Sequence, residues 1–242
     1  MKKIIFGLLA VLLVLSCASS QKSVKTHKQT KYPKWFINPQ NAVTGYGPVY
    51  FSEESSAREA TMHAVDNFVK LSHCYVLGTQ TYIQSIKGLD LVYDSLFIHV
   101  EESPSDEKTL QKHFAHADTF ATKNIMIVIH SNSPLDELSK LLAFSQECEW
   151  ISTPPQDKEY IYAIGSCNRI FNEHKAWDSA ENNAILNLAR KISLDNAAET
   201  LVNEDKLMSK FNENVNVELH NIEVVERWKD SKTNSYYVLI RM

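Results

Sequence analysis

Two stretches of the chain repeat small and apolar residues at three- and four-residue steps, and this period predicts two amphipathic helices. The first stretch carries Ala57, Ala60, Ala64, Val65, Phe68 and Leu71, and the second carries Trp177, Ala180, Ala184, Ile185, Leu188 and Ile192. Alignment of Ala60 with Ala180 brings the two stripes into register. Ser56 and Glu59 form a candidate capping box at the start of the first helix. The small residues predict helices that pack closely across a sheet.

A run of alternating aromatic and aliphatic residues precedes each helix and predicts a strand. The runs read AVTGYGPVYF at 42–51 and YIYAIGSCNRIF at 160–171, and each follows a Trp-x-x-x-Pro sequence that begins at Trp35 or at Trp150. Both runs contain glycine, which within a strand marks a bulge or a close backbone approach. The same order of features therefore occurs twice in the chain.

Further strands are predicted after each helix. In the first half they lie at 91–100 and 124–131, while 103–120 receives no assignment. In the second half 215–228 and 235–242 alternate or run apolar, and the turn residues between them predict an antiparallel hairpin.

These elements predict an α+β fold of two tandem two-layer units, each a small, mostly antiparallel sheet packed on one long helix. The first unit is expected at 33–132 and the second at 149–242, with a linking helix at 133–148. Because Trp35 and Trp150 recur at one place in the repeat, we interpret them as core residues; an exposed aromatic platform is the alternative.

Trp228, which lies beside the hairpin turn, is the best candidate for an exposed aromatic contact.

The start of the chain is typical of an exported bacterial lipoprotein. Lys2 and Lys3 precede the uncharged run IIFGLLAVLLVL, which is shorter than the roughly 20 apolar residues that span a bilayer. The following VLSC resembles a lipobox, so we expect a signal peptide at 1–16 and diacylglycerol on Cys17. A signal peptide cut after Ala18 is the alternative. Lipidation predicts a protein anchored to the bacterial outer membrane and facing the periplasm or the cell surface.

The distribution of charge argues against a nucleic-acid partner. The chain has 25 basic and 29 acidic residues, and because six lysines and no acid precede Pro33, the remainder carries 19 basic residues against 29 acidic ones, a net charge of −10. Nucleic-acid binding depends on neutralising phosphates, which an acidic body does poorly. The basic segment 17–32 is interpreted as a lipidated flexible tether that can also contact anionic lipid headgroups.

Three cysteines remain after Cys17. Cys74, Cys148 and Cys167 are an odd number in an exported protein, which argues against a disulfide framework. Buried thiols are expected, and a bridge between Cys148 and Cys167 stays open.

Two groups of residues have the types of side chain found in chemical sites. His113, His116 and Asp118 resemble metal ligands in type, but no third histidine follows nearby, so solvated loop side chains are favoured. Cys167 with His174 would make a thiol nucleophile and its base, but Cys167 lies in a predicted strand without an activating helix terminus. The sequence thus predicts no catalytic residue, no cofactor and no metal, and the chain is interpreted as a non-enzyme.

The Trp-x-x-x-Pro sequence, the glycine-bearing strand, the AREATMHAVDNFVKL helix at 57–71 and the closing SYYVLIRM at 235–242 resemble the bacterial Lpp-twenty type lipoprotein family. That family is related to the N-terminal domain of flagellar assembly protein T. The resemblance implies a duplicated version of the family's unit, and a role in the cell envelope with motility as one option.

Two functions follow from this sequence. The first is a membrane-anchored, non-enzymatic scaffold or interaction module with an envelope protein as partner. The alternative is a periplasmic binding protein for a small apolar ligand held between the two units, in a site between the two helices. An exposed apolar patch or an open strand edge would favour the partner, and a cavity lined by both units would favour the ligand.

Overall fold

The structure is a computed structural model, and it describes residues 30–85, 88–101, 107–135, 138–145, 147–168, 172–201 and 210–242. The expected signal peptide at 1–16 and the lipidated Cys17 lie outside these residues, as does nearly all of the tether. The tether was expected to reach residue 32, but Lys31 and Tyr32 belong to a strand in which Tyr32 is fully buried. The contacts of the chain group Lys31–Met242 as one unit.

Helices and strands alternate irregularly along the first half. In chain order they are β1 (Lys31–Pro33), α1 (Lys34–Ile37), β2 (Ala42–Gly47), α2 (Glu53–Ser72), β3 (His73–Ser85), β4 (Gly88–His99), α3 (Glu107–Gln111), β5 (Ala115–Ala121) and β6 (Met126–Ser131). The periodic stripe at 57–71 thus lies within α2, as predicted. Strand β3 was not predicted, and the unassigned segment 103–120 contains α3 and most of β5.

Helix α2 begins earlier than the proposed capping box. The Ser52 hydroxyl accepts a hydrogen bond from the backbone N–H of Ser55 at 3.3 Å, so Ser52 is the N-cap. The capping box at Ser56 and Glu59 is wrong, because Ser56 lies inside the helix. Its hydroxyl accepts a hydrogen bond from the backbone N–H of Tyr50 at 2.8 Å and fixes the preceding loop.

The second half contains fewer elements. They are β7 (Leu141–Ala143), α4 (Glu149–Ser152), β8 (Tyr162–Cys167), α5 (Glu173–Leu201), β9 (Lys210–His220), β10 (Glu223–Lys229) and β11 (Tyr236–Arg241). The linking helix predicted at 133–148 is wrong. Strand β7 lies there and pairs with β1, with Leu142 opposite Tyr32. The backbone groups of this segment therefore form hydrogen bonds with a strand that is distant in sequence, and not within a helix.

Two of the sheets have the same strand order. The sheets are β2–β6–β5 and β8–β11–β10. In each, the central strand is the last strand of its half, β6 or β11. This central strand pairs on one side with the strand that precedes the long helix, β2 or β8, and on the other side with the strand that directly precedes it in the chain, β5 or β10. All of these pairings are antiparallel. Helix α2 packs on the first sheet and α5 on the second. The described residues thus form an α+β structure with several small antiparallel sheets and five helices.

A third sheet, β4–β3–β9, combines strands from both halves. The antiparallel ladder between β3 and β9 runs from His73 opposite His220 to Ile83 opposite Lys210. The hairpin predicted for 215–228 and 235–242 is correct only for β10 and β11. Asn221, with a φ of 50°, divides the predicted strand 215–228 in two, and the first part belongs to β9, which pairs with β3.

Close contact between strand and helix recurs in the two halves. A β-carbon added to Gly45 would lie 2.0 Å from the carbonyl oxygen of Ala60, and one added to Gly165 would lie 2.0 Å from that of Ala180. Only glycine permits such an approach, because any side chain would collide with helix backbone. The predicted register of Ala60 and Ala180 therefore corresponds to matching contacts.

A matching hydrogen bond lies two helical turns beyond Ala60 on α2 and beyond Ala180 on α5. Asn67 Nδ2 on α2 donates to the carbonyl oxygen of Thr44 on β2 at 3.3 Å, and Asn187 Nδ2 on α5 donates to that of Ile164 on β8 at 2.7 Å. In both halves the accepting carbonyl lies one residue before the glycine, and the asparagine lies seven residues after the alanine. Each helix is therefore fixed to its strand in the same way.

All four tryptophans are buried. Trp35 and Trp177 are fully buried and Trp150 nearly so, in agreement with the core interpretation of Trp35 and Trp150. The exposed position expected for Trp228 is wrong: its side chain is 7% exposed, and its indole N–H donates to the carbonyl oxygen of Ser145 at 3.0 Å. The segment before α4 covers this tryptophan, a contact that its place beside a turn does not indicate.

Candidate functional site

His113, His116 and Asp118, which resemble metal ligands in the sequence, do not form a ligand group in the part of the chain that the structure describes. His113 and His116 are exposed, and His116 Nε2 lies 3.0 Å from Thr119 Oγ1. Asp118 instead accepts a hydrogen bond from Trp35 Nε1 at 3.1 Å. Its carboxylate therefore orients a core tryptophan.

The three cysteines that the structure describes lack the features of a nucleophile. Cys74, Cys148 and Cys167 are free thiols, so the bridge left open between Cys148 and Cys167 is not formed. Burial raises the pKa of Cys74 to about 11 and that of Cys148 to about 12, and it also raises the pKa of Cys167. A reactive thiol needs the opposite shift.

Polar side chains join the two long helices. Lys70 Nζ on α2 donates to Asn182 Oδ1 on α5 at 2.8 Å, and His63 Nε2 lies 3.4 Å from Asp178 Oδ1. Burial acts to raise the pKa of Asp178, but the hydrogen bond with His63 and the charge of Lys70 outweigh it and leave the pKa below its usual value. An apolar ligand between the helices would have to displace this polar contact.

A buried ion pair of the second half lies next to that contact, with Lys70 Nζ 3.9 Å from Glu181 Oε1, and its arginine also bonds to the first half. Arg227 Nη2 on β10 lies 3.0 Å from Glu181 Oε2 on α5, and the two side chains are 1% and 0% exposed. Arg227 also donates to the Phe36 carbonyl oxygen at 3.0 Å and to Thr44 Oγ1 at 2.9 Å. Burial and the charge of Glu181 raise the pKa of Tyr46, whose hydroxyl donates to the same carboxylate. Both charges are therefore engaged in structural contacts, although Arg227 Nε and Glu181 Oε1 have no hydrogen-bond partner among the described residues.

A cleft of about 560 Å³ lies where β2 and α2 approach β10. Phe68, Leu71 and Val224 supply apolar parts of its lining. Arg241 and Glu223 also line it and pair with each other, with 2.7 Å between Arg241 Nε and Glu223 Oε2. Polar residues make up nearly half of the lining, so the cleft suits a small molecule that has both apolar and polar parts.

The sheet β4–β3–β9 has one solvent-exposed face, which we call the outer sheet face and define by Tyr93, Phe97, Leu77, Thr79 and Asn216. Tyr93 and Phe97 are 60% and 57% exposed, whereas Leu96 and Ile98 of β4 pack against the core. Leu77 lies opposite both Phe97 and Asn216 in the two ladders.

Strand β4 is also an edge strand in the described residues, because β3 is its one neighbour there. An exposed edge with aromatic side chains favours addition of a strand from a partner.

One group of described residues could hold a metal ion. His73, Glu218 and His220 place one nitrogen or oxygen donor each within 4.8 Å of one another at one end of the same sheet. Sequence reasoning missed this group, because the histidines are 147 positions apart and the pairing of β3 with β9 was not predicted. The one signal in the sequence is the two-residue spacing of His73 and Tyr75, and of Glu218 and His220, which places each pair on one face of a strand.

Comparisons with protein-family models, with curated proteins and with solved structures found no match. Among the described residues, none of the helices has the length and apolar character required to cross a membrane.

Proposed function

We propose that the chain is a lipid-anchored protein of the bacterial envelope, attached to the outer membrane through Cys17 and facing the periplasm or the cell surface. It acts without catalysis, as a scaffold that binds an envelope protein through the outer sheet face. We also propose membership of the Lpp-twenty type lipoprotein family, on the sequence resemblance alone.

The matched strand–helix contacts support a tandem arrangement of two related units. Gly45 with Ala60 and Gly165 with Ala180 make the same close approach, and the two asparagine hydrogen bonds recur at the same spacing. The shared strand order of the two sheets adds a third correspondence. In this proposal β3 and β9 join the two units edge to edge.

The exposure of Tyr93 and Phe97 on an edge strand is the observation that carries the partner proposal. Aromatic side chains are enriched where proteins bind each other, because they bury a large area with little loss of conformational entropy. The edge of β4 adds unpaired backbone groups that a partner strand would satisfy.

A paired substitution tests this surface. Tyr93→Glu together with Phe97→Glu should release the chain from its native complex, since two charges would replace the aromatic contact. The readout is the mass of the complex after mild detergent extraction of membranes. Ala117→Glu with Ala121→Glu, at exposed positions four apart on the edge strand β5, is the matched control and should leave the complex intact.

A complex of unchanged mass in the Tyr93→Glu/Phe97→Glu variant, with an unchanged thermal melt, would contradict the partner proposal. If the Ala117→Glu/Ala121→Glu control also loses the complex, added surface charge in general, and not the aromatic surface, would be the cause of the loss.

The anchor has a separate test. Cys17→Ser should move the chain from the membrane pellet to the soluble or unprocessed fraction and remove metabolic acyl labelling. The substitution removes the thiol to which the lipid would be attached, and the acyl chains are what holds the protein at the membrane. Labelling that persists in this variant would refute lipidation at Cys17.

The cleft favours a second candidate, a binding protein for a small apolar ligand, because residues from both halves line it. Native mass spectrometry of the purified chain should then detect a bound small molecule. Ala42→Phe, which would fill the cleft from β2, should remove it, while Ala121→Phe on β5 should not. Equal ligand content in both variants would place the ligand elsewhere.

A further inference from the structure

Four side chains at one end of the β3–β9 ladder lie on the same solvent-exposed face. His73 is directly opposite His220, and Tyr75 is directly opposite Glu218. Cys74, which lies between the two β3 residues, is fully buried, so strand alternation turns His73 and Tyr75 away from the core. This group therefore adjoins the outer sheet face without being part of the aromatic surface.

The donor atoms of three of these side chains converge. His73 Nε2 lies 2.9 Å from Glu218 Oε1, and His220 Nε2 lies 3.3 Å from the same oxygen. In a tetrahedral zinc site with bonds of about 2.0–2.1 Å, neighbouring ligand atoms are about 3.3 Å apart. The two nitrogen–oxygen distances are close to that separation.

Small side-chain rotations would complete the arrangement. The His73 and His220 rings stack at 4.4 Å with 16° between their planes, so the lone pairs of their nitrogens lie in nearly parallel planes. The side chains of His73, Glu218 and His220 are 40%, 49% and 52% exposed, and they can therefore turn without repacking the core. A rotation that tilts the rings toward each other would direct both nitrogens at one ion.

Tyr75 orients the carboxylate. Its hydroxyl donates to Glu218 Oε1 at 3.1 Å. Such a partner behind a ligating group fixes its direction and raises metal affinity.

We propose that His73, Glu218 and His220 bind one divalent transition-metal ion of the zinc type, with water completing its coordination. Two imidazoles and one carboxylate suit zinc and its neighbours, whereas calcium and magnesium prefer oxygen ligands throughout. Because the ligands come from β3 and β9, the ion would clamp together the strands through which the two halves of the chain pair.

Metal titration of the whole chain tests the proposal. The protein is purified in detergent, stripped with a chelator and titrated with Zn²⁺ by calorimetry at neutral pH. We expect one equivalent to bind, and Zn²⁺ at 100 times its Kd should raise the melting temperature by about 5–10 °C. Co²⁺ should give the absorption bands of a four- or five-coordinate site.

Variants assign the ligands. His220→Ala should weaken Zn²⁺ binding by at least about 100-fold, since even the loss of a group behind a ligand costs about 10–100-fold. Tyr75→Phe should weaken it by about 10-fold through loss of orientation. His99→Ala removes an exposed histidine directly opposite Tyr75 on β4 and should change nothing.

Two results would overturn the site. One is the absence of stoichiometric Zn²⁺ binding at about 10 µM protein, where a site of useful affinity would fill. The other is binding that His220→Ala leaves unchanged or that His99→Ala reduces equally, which would assign it to scattered surface histidines. These outcomes are independent of the partner proposal, because the Tyr93 and Phe97 variants keep all three ligands.

Discussion

The strand–helix pairs β2–α2 and β8–α5 make the same internal contacts but use an equivalent cation differently. Counted from the matched alanines, Lys70 on α2 and Arg190 on α5 occupy the same place. Lys70 donates to Asn182 on the other helix, whereas Arg190 Nη2 donates to Asp94 of β4 at 3.1 Å. One cation joins the two long helices, and the other fixes the third sheet to α5.

The difference separates two kinds of position. Glycine, alanine and asparagine at matched places hold each strand on its own helix, and they have to be the same because backbone approaches backbone there. The charged positions face other elements, so their partners differ between the halves. Repetition therefore identifies local packing, and departure from it identifies the joints of the molecule.

The largest expected effect is at the buried joint of Arg227 with Glu181. Arg227→Met should cost about 3–5 kcal/mol of unfolding free energy, because it removes the hydrogen-bonded cation of the buried Glu181 carboxylate and leaves only Lys70 Nζ, 3.9 Å away. The double variant Arg227→Met/Glu181→Leu should recover most of that loss, since no unpaired charge remains. Urea unfolding of both variants checks this, and a double variant no more stable than the single one would contradict the reason given.

Matched glycine substitutions test the equivalence of the two halves. Gly45→Ala and Gly165→Ala should each cost about 3 kcal/mol, the upper end for an overpacked site, because backbone atoms have to move. Gly47→Ala is the control, since its β-carbon would meet the backbone nitrogen of Ala60 at 3.2 Å and should cost less than about 1 kcal/mol. A tolerated Gly165→Ala beside a damaging Gly45→Ala would break the equivalence.

The paired asparagines should show a smaller effect. Asn67→Ala and Asn187→Ala should each cost about 1–2 kcal/mol, because each removes a hydrogen bond to a strand carbonyl. We expect the larger loss at Asn187, whose bond is shorter. Asn214→Ala, at an exposed position on β9, should stay within about 0.5 kcal/mol of the parent in thermal melts.

The smallest expected effect is a pH dependence at the joint between the helices. The pKa of Asp178 is lowered in the folded chain, so its contribution to stability is present above its ordinary pKa of 3.8 and is lost as the pH falls through the folded value. Asp178→Asn should be less stable by under about 1 kcal/mol at pH 7, because its side chain is partly exposed. The difference should narrow below about pH 4 in urea melts; a constant difference would argue against ionisation as the cause.

The sequence predicts both long helices and the β10–β11 hairpin, because their signals are local. The apolar stripes through Ala60 and Ala180 determine which face of α2 and of α5 is buried. The turn before Tyr236 determines the register in which β10 and β11 pair. The first helix start was missed by four residues, since Ser52 and Ser56 are equally good caps by type and only the fold decides between them.

The remainder depends on contacts between distant residues. Leu142 belongs to an apolar segment that is compatible with a helix, and its pairing opposite Tyr32 makes it a strand instead. Trp228 is covered by Ser145, 83 positions away, which no local pattern indicates. The outer sheet face and the His73 group were invisible for the same reason, since both require β3 to pair with its neighbours.

Site-specific photocrosslinking in living cells tests most directly the proposal that the outer sheet face binds a partner. A crosslinking amino acid is placed at Phe97, and for comparison at Phe51 in the exposed loop before α2 and at Thr119 on β5. We expect one discrete crosslinked product from Phe97 and none from Thr119. A discrete product from Phe51 with none from Phe97 would contradict the account and place the partner on the loop.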